Sequence, residues 1–96
     1  MKTHFNIGFL EDATETLRAI AHPIRIAIVD MLFKNNQLSV SEIHDQLQIE
    51  QAVASHHLRI LKNKKIVIVN RDGKNSYYSL THKDYHNIIQ VLTKTI

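Results

Sequence analysis

The spacing of apolar residues predicts two helices in the first third of the chain. Apolar residues recur at helical intervals over residues 9–20, and acidic residues occupy the early turns of that segment. The pair His22–Pro23 ends this helix, because proline lacks an amide donor and restricts the residue before it. Proline also suits the first position of a helix, so the apolar stripe that follows predicts a second helix, which ends near residues 34–36.

A short third helix and a longer fourth helix are predicted next. Residues 39–42, Ser-Val-Ser-Glu, have the form of a capping box, in which the serine and the glutamate each bond the other's free backbone donor. The third helix therefore starts at Ser39, and residues 48–50 are short enough for a tight turn. The fourth helix runs from Gln51 to Asn63. Its expected packed side consists of Val53, Ala54, His57, Leu58 and Leu61.

The pattern changes to a β-hairpin and a final helix in the last third of the chain. Residues 66–69 are all β-branched, Asp72–Gly73 is a turn signal, and residues 76–80 read as the returning strand. A second capping-box sequence, residues 81–84, precedes a last apolar helical stripe that runs to the C-terminus. We therefore predict one domain, residues 1–96, mainly α with a β-hairpin, in the order α-α-α-α-β-β-α.

Length and composition exclude several classes of protein. A chain of 96 residues has room for one domain, and the absence of cysteine excludes a disulfide framework, a thiolate metal cluster and a cysteine nucleophile. The longest apolar runs are far short of a membrane span and the N-terminus lacks a signal-peptide core, so we expect a cytoplasmic protein. No glycine loop that could cradle a phosphate and no catalytic triad order is present, so we do not expect an enzyme.

Basic residues are concentrated in one segment. Residues 1–50 carry a net charge of −3, whereas residues 51–76 carry six basic residues and one acidic residue, a net charge of +5. Such a local excess is a candidate surface for binding a polyanion, although a basic run taken alone is more commonly a solvated charged face. The third and fourth helices also have helix-turn-helix proportions, and in that motif the second helix enters the major groove of DNA.

The fourth helix and the hairpin turn carry the side chains that such a role needs. One side of the helix combines hydrogen-bonding groups, which can read base edges, with cations, which can pair with phosphates. Basic residues flank the hairpin turn, where a wing can reach the DNA backbone or the minor groove, and Lys74 and Asn75 are predicted in its loop. These DNA-binding candidates are Gln51, Ser55, His56, Arg59, Lys62, Arg71, Lys74 and Asn75.

Four stretches resemble the ArsR/SmtB family of bacterial winged-helix repressors: residues 17–26, Leu-Arg-Ala-Ile-Ala-His-Pro-Ile-Arg-Ile, together with 38–43, 51–61 and 71–80. The resemblance covers residues 9–92 in the right order. It implies a winged helix-turn-helix fold, a homodimer formed largely by the first and last helices, and operator binding that represses transcription until an effector lowers the affinity. Two recognition helices held in this way would bind an inverted repeat in double-stranded DNA.

The resemblance also assigns roles by position. Gln51, Ser55 and His56 match the base-reading residues of the family, and the basic residues that flank the hairpin turn match its contacts to the DNA backbone. Ala52 stands where the family often has serine or threonine, so one polar contact is missing. A methyl group can still pack on thymine, and Ala52 stays among the DNA-binding candidates.

The metal sites known in the family are incomplete in this sequence. Ser39 and Ser41 stand where one family site has a Cys-x-Cys pair, and serine is a poor ligand for a soft metal. Asp84 and His86 match the first half of a second site, but its other half, a His-x-x-His pair, is missing further along the last helix. We expect no metal site and no cofactor, with Asp84 as a helix cap and with His82 and His86 on the surface.

Four other histidines have no assigned role. His22 and His57 are expected beside helix ends or partly in the core, and His4 and His44 are expected to be exposed. A pH switch built on such histidines is one open alternative.

Two further alternatives concern the partner and the signal. A winged helix can dock on a protein rather than on DNA. A steep fall of DNA affinity with salt would support DNA binding over this alternative. A repressor can also sense a metal or a small molecule through an atypical site. The operator, the effector and the choice between repression and activation stay open.

Overall fold

Eight elements follow one another along the chain, and the computed structural model describes all residues, 1–96. They are α1 (Ile7–Ile20), α2 (Pro23–Asn35), β1 (Leu38–Ser39), α3 (Val40–Leu47), α4 (Gln51–Asn63), β2 (Val67–Asp72), β3 (Asn75–Leu80) and α5 (Tyr85–Thr95). The predicted mainly α fold with a β-hairpin is confirmed, and the structure adds β1 between the second and third helices. No helix has the length and apolar character needed to cross a membrane.

Side-chain caps explain where the first three helices begin. The Oδ1 atom of Asn6 accepts from the N–H of Phe9 at 3.3 Å, so α1 starts two residues before the predicted position. The Nδ1 atom of His22 accepts from the N–H of Ile24 at 3.1 Å, ahead of the helix that Pro23 opens. The predicted capping box of α3 is confirmed, with Ser39 and Glu42 each accepting the other's backbone N–H.

The three strands form one antiparallel sheet in the order β1-β3-β2. In β1, Leu38 lies opposite Tyr78, a pairing that the periodicity of the sequence did not indicate. The hairpin turn is shorter than predicted, because Asn75 belongs to β3 and lies opposite Asp72. Only Gly73 and Lys74 remain in the turn, and the positive φ of Gly73, 63°, is a conformation that glycine adopts without strain.

The core lies where the helices meet the sheet, and each helix contributes to it. Its fully buried large side chains come from α2, α3, α4, the first residue of β2 and the residue before it, and each stabilises the fold by roughly 1.5–3 kcal/mol through its burial. They are Ile28, Val29, Leu32, Ile43, Leu58, Leu61, Ile66 and Val67. The recognition helix of the predicted motif is therefore held rigidly along one side.

The second predicted capping box is wrong. The hydroxyl of Thr81 does not cap α5 but donates to the carbonyl oxygens of Lys65, at 2.6 Å, and Ile66, at 3.1 Å. Lys65 has a φ of 59°, so this contact supports a left-handed residue just after α4. Asp84 precedes α5 with a helical backbone and makes no side-chain capping bond.

Candidate nucleic-acid interface

The helices α3 and α4 form a helix-turn-helix pair joined by three residues, 48–50. The buried Ile43 of α3 and the buried Ala54 and Leu58 of α4 belong to the same core. The bounds of α4 are those predicted from the sequence. Because the packed side of α4 is fixed, its opposite side faces the solvent with a defined orientation.

The exposed side of α4 carries most of the predicted DNA-binding residues. Ser55 is half-buried, and the others on this helix, Gln51, Ala52, His56, Arg59 and Lys62, are exposed. Four of the five residues predicted on the packed side, Ala54, His57, Leu58 and Leu61, are buried. The fifth, Val53, is 36% exposed. It was predicted on the packed side, but it adds an apolar group near the start of the exposed side.

The hairpin of β2 and β3, residues 67–80, is the wing of this fold, and it adds exposed polar and basic side chains. Arg71 near the end of β2, Lys74 in the turn and Asn75 at the start of β3 are all exposed. The salt bridges of the chain pair Glu15 with Arg18 and with Lys64, and Asp30 with Lys34 and with His86. The cations of the exposed side of α4 and of the wing therefore have no acidic partner and remain available to an anion.

A histidine anchors the back of α4 to α2. His57 is 7% exposed, and its Nδ1 atom lies 3.2 Å from the Nη1 atom of Arg25. The ring of His22 lies against it, with a centroid separation of 4.3 Å. Burial lowers the pKa of His57, and the nearby charges of His22, Arg25 and His56 lower it further. This confirms the expected partly buried position of His57 and makes its neutral form the favoured one.

His86 was predicted on the surface, and this prediction is wrong. The residue is 5% exposed, its Nε2 atom lies 2.8 Å from the Oδ1 atom of Asp30, and its ring stacks on Phe33 with centroids 3.9 Å apart. The apolar stripe of the last helix gave no sign of this contact, because Asp30 belongs to a helix far away along the chain. The other histidine of this region, His82, is exposed as expected.

These positions bear on the family's metal sites. Ser39 caps α3, and the Nε2 atom of His86 lies 2.8 Å from the Oδ1 atom of Asp30, so both side chains are engaged within the chain. Within one chain, no group of three histidine, cysteine, aspartate or glutamate residues has a geometry that could hold a metal ion. The expectation that the protein works without metal stays a prediction.

The fold and this exposed side define a class of protein, the winged helix-turn-helix DNA-binding domains. A model of the family described as bacterial regulatory protein, arsR family, matches residues 22–69. The transcriptional repressor PagR of Bacillus anthracis is 37% identical over 83 residues, which are 86% of this chain and 83% of PagR. The repressor SmtB of Mycobacterium tuberculosis is 43% identical over 77 residues, which are 80% of this chain but 55% of SmtB.

Solved structures give the same result. The crystal structure of PagR superposes with a TM-score of 0.80 at 36% identity and covers 91% of this chain and 99% of PagR. HlyU of Vibrio cholerae superposes with a TM-score of 0.82 at 27% identity and covers 93% of this chain and 96% of HlyU. The chain belongs to the ArsR family, and it is a DNA-binding transcriptional regulator, not an enzyme.

Proposed function

We propose that this protein is a homodimeric repressor that binds an inverted-repeat operator with α4 and the wing. The observation that carries the proposal is the set of hydrogen-bonding and basic side chains on the exposed side of α4 and on the wing. Its cations, Arg59, Lys62, Arg71 and Lys74, have no acidic partner in the chain. Packing does not require these side chains at exposed positions. A surface of this charge binds the phosphate backbone, and the polar groups near the start of α4 suit base edges.

Base reading and backbone contacts are divided between the two ends of this surface. Gln51, Ala52, Ser55 and His56 occupy the first half of α4, which in this motif enters the major groove. The remaining residues contact phosphates or the minor groove and set the position of the protein on the duplex. They are Arg59, Lys62, Arg71, Lys74 and Asn75.

The dimer is supported by the distribution of exposed apolar side chains. Of the ten exposed large hydrophobic residues, eight lie in the N-terminal residues 1–20 or in α5 and the residue after it. They are Met1, Phe5, Ile7, Phe9, Leu17, Val91, Leu92 and Ile96. Exposed apolar side chains concentrated on the first and last helices suit an interaction surface, and a two-fold pairing of such a surface gives a closed dimer.

Repression is proposed because PagR and SmtB, two similar proteins, are both transcriptional repressors. Binding without metal is proposed because Ser39 and His86 are engaged within the fold. No residue of the chain identifies an effector.

Selection from random duplex DNA at moderate salt, with a chelator present, tests the proposal. Recovery of an inverted repeat supports a dimeric reader that does not need metal. Recovery of a single half-site contradicts the dimer. Recovery of no motif, together with a DNA affinity that hardly changes with salt, contradicts DNA reading and favours docking on a protein partner.

A further inference from the structure

The turn between α3 and α4 contains a residue in an unfavourable conformation. Gln48 has a φ of 56° and a ψ of 46°, in the left-handed region, which disfavours side chains other than glycine. Its N–H donates to the carbonyl of Asp45 at 3.2 Å, and the N–H of Ile49 donates to the carbonyl of His44 at 3.1 Å. These two bonds form the Schellman pattern that ends many helices, usually with glycine at the position of Gln48.

Two side chains support this conformation. The Nε2 atom of Gln48 donates to the carbonyl of Asp45 at 2.6 Å. The Nδ1 atom of His44 lies 3.2 Å from the carbonyl oxygen of Ile49. A carbonyl oxygen can only accept, so Nδ1 carries the hydrogen in this contact. His44 was expected to be exposed, but it is half-buried against the turn.

The helix that follows has no cap of its own. Glu50 precedes α4 and makes no side-chain capping bond, so the local bonds at the start of this helix are the backbone bonds from Val53 and Ala54 to the carbonyl of Glu50. Ile49 is two residues before Gln51, and its backbone is bonded on both sides to His44, through the carbonyl and the side chain of that histidine. His44 therefore holds the residue just before the start of α4, in addition to the core contacts between the two helices.

We propose that His44 is a positioning residue that fixes the turn and so sets the placement of Gln51 and the first turn of α4 against DNA. The proposal rests on the proposed function, because it concerns the same reading surface. In the sequence, this arrangement is visible only as Gln48, a residue other than glycine at the end of α3, with the possible donor His44 four residues earlier. The left-handed backbone of Gln48 shows that the turn needs support from such a donor.

The first experiment uses the unaltered protein. Nitrogen-15 NMR of the imidazole rings, at a pH where His44 is neutral, identifies which ring nitrogen carries the hydrogen. We expect the Nδ1–H form for His44, whereas histidine in water favours the Nε2–H form. An Nε2–H form would overturn the proposal. This measurement does not depend on DNA, so it judges the contact even if the proposed function fails.

The second experiment compares two variants that differ in the position of their donor. In His44→Asn the amide nitrogen is attached to the atom that follows Cβ, as Nδ1 is, and in His44→Gln it lies one bond further away. Affinity is measured for the operator found by selection and for unrelated DNA, with thermal unfolding in parallel. We expect His44→Gln to lower the ratio of the two affinities about fivefold to tenfold, as for the loss of one hydrogen bond.

His44→Asn should keep the ratio within about twofold of the unaltered protein, since the donor is retained. Equal ratios in all three proteins would overturn the proposal, even if both variants melt at lower temperature, because a purely structural role lowers stability without changing selectivity. Failure of the unaltered protein to prefer its selected operator would instead contradict the proposed function.

Discussion

Asp30 of α2 and His86 of α5 are 56 residues apart in the sequence, and their contact joins the two helices. The Nε2 atom of His86 lies 2.8 Å from the Oδ1 atom of Asp30, and Phe33 stacks on the imidazole from the same side of α2. The other ring nitrogen, Nδ1, is buried without a partner. The contact fixes α5, the helix proposed to form part of the dimer, on the domain that carries α4.

Removal of the carboxylate should destabilise the protein strongly. Asp30→Ala leaves the buried Nε2 atom of His86 without a partner, and we expect a loss of about 1–3 kcal/mol in the free energy of unfolding, measured with urea. Lys34→Ala is the matched control, because Lys34 is the other partner of Asp30 but its side chain is 66% exposed. The control should lose less than about 1 kcal/mol. Equal losses would mean that the His86 contact contributes no more than a surface pair.

The response of this pair to acid has a definite direction. Burial alone would raise the pKa of Asp30, but the hydrogen bonds and charges of His86 and Lys34 outweigh it and hold the pKa below 3.8. The stabilisation is therefore present above pH 3.8 and is lost as the pH falls through the lower folded pKa. The difference in the free energy of unfolding between the unaltered protein and Asp30→Ala should thus shrink as the pH falls below 3.8, which urea unfolding at acid pH measures.

Acidification should weaken the protein through His57. Its pKa is lowered in the folded state by burial and by the charges of His22, Arg25 and His56, so the unfolded chain binds more protons below its ordinary pKa of 6.5. This contribution is complete above pH 6.5 and declines as the pH falls below it. His57→Gln should flatten the fall in the urea midpoint between pH 7.5 and 5.5, and the exposed His4→Gln should not. The same slope in all three proteins would refute this assignment.

Two substitutions should separate base reading from backbone contact. Gln51→Ala should lower affinity about tenfold or more for the selected operator and relax the preference at one base pair. Lys74→Ala should weaken binding evenly across sequences and reduce the slope of log affinity against log salt by about 1. Fluorescence anisotropy with operator and scrambled duplexes over a salt series measures both effects. Uniform losses for both variants would contradict the division of roles.

Two apolar residues of similar exposure, one inside and one outside the proposed interface, test the dimer. Leu92 in α5 is 44% exposed and Ile68 in β2 is 46% exposed, but only Leu92 lies in the proposed interface. Leu92→Lys should convert a dimer into a monomer in sedimentation experiments, because a charge would be buried between the subunits. Ile68→Lys should leave the dimer unchanged. A monomer for both variants, or for neither, would argue for a different interface.

The capping box of α3 should make a measurable contribution to the free energy of unfolding. Ser39→Ala removes the acceptor for the N–H of Glu42 and should lower the free energy of unfolding by about 1 kcal/mol. Ser41→Ala, at an exposed position within the same helix, should stay within about 0.5 kcal/mol of the unaltered protein. Urea unfolding of the three proteins makes the comparison. A similar loss at both positions would show that capping by Ser39 is not responsible, because alanine has a higher helix propensity than serine.

The elements that the sequence predicted well are those stabilised by near neighbours. The bounds of α4 and the capping box at Ser39 agree with the structure, because helical hydrogen bonds and caps join residues at most four apart. Pro23 opens α2 for the same reason. The polar side of α4 could also be predicted, since a 3.6-residue period assigns each position to a side of the helix.

Contacts between distant residues were decided by the tertiary structure. The strand β1 has two residues, too few to show the alternation of apolar and polar positions that predicts a strand. It forms because Leu38 pairs with Tyr78 on β3. The sequence at Thr81 has the same capping form as that at Ser39, but its hydroxyl bonds the chain after α4 instead. In each case a partner far along the chain competes with a local bond, and local patterns contain no information about that partner.

The sequence by itself determined the order of the helices, the hairpin and the basic, exposed side of α4, because these follow from short-range periodicity and from the charge of the residues. Only the tertiary structure decided that His86 is buried against Asp30 and that His44 supports the turn before α4. A histidine can be a surface group, a cap or a buried donor, and its sequence neighbours are compatible with all three. The packing of one helix against another selects among them, because it decides which ring nitrogens meet a partner and which meet water.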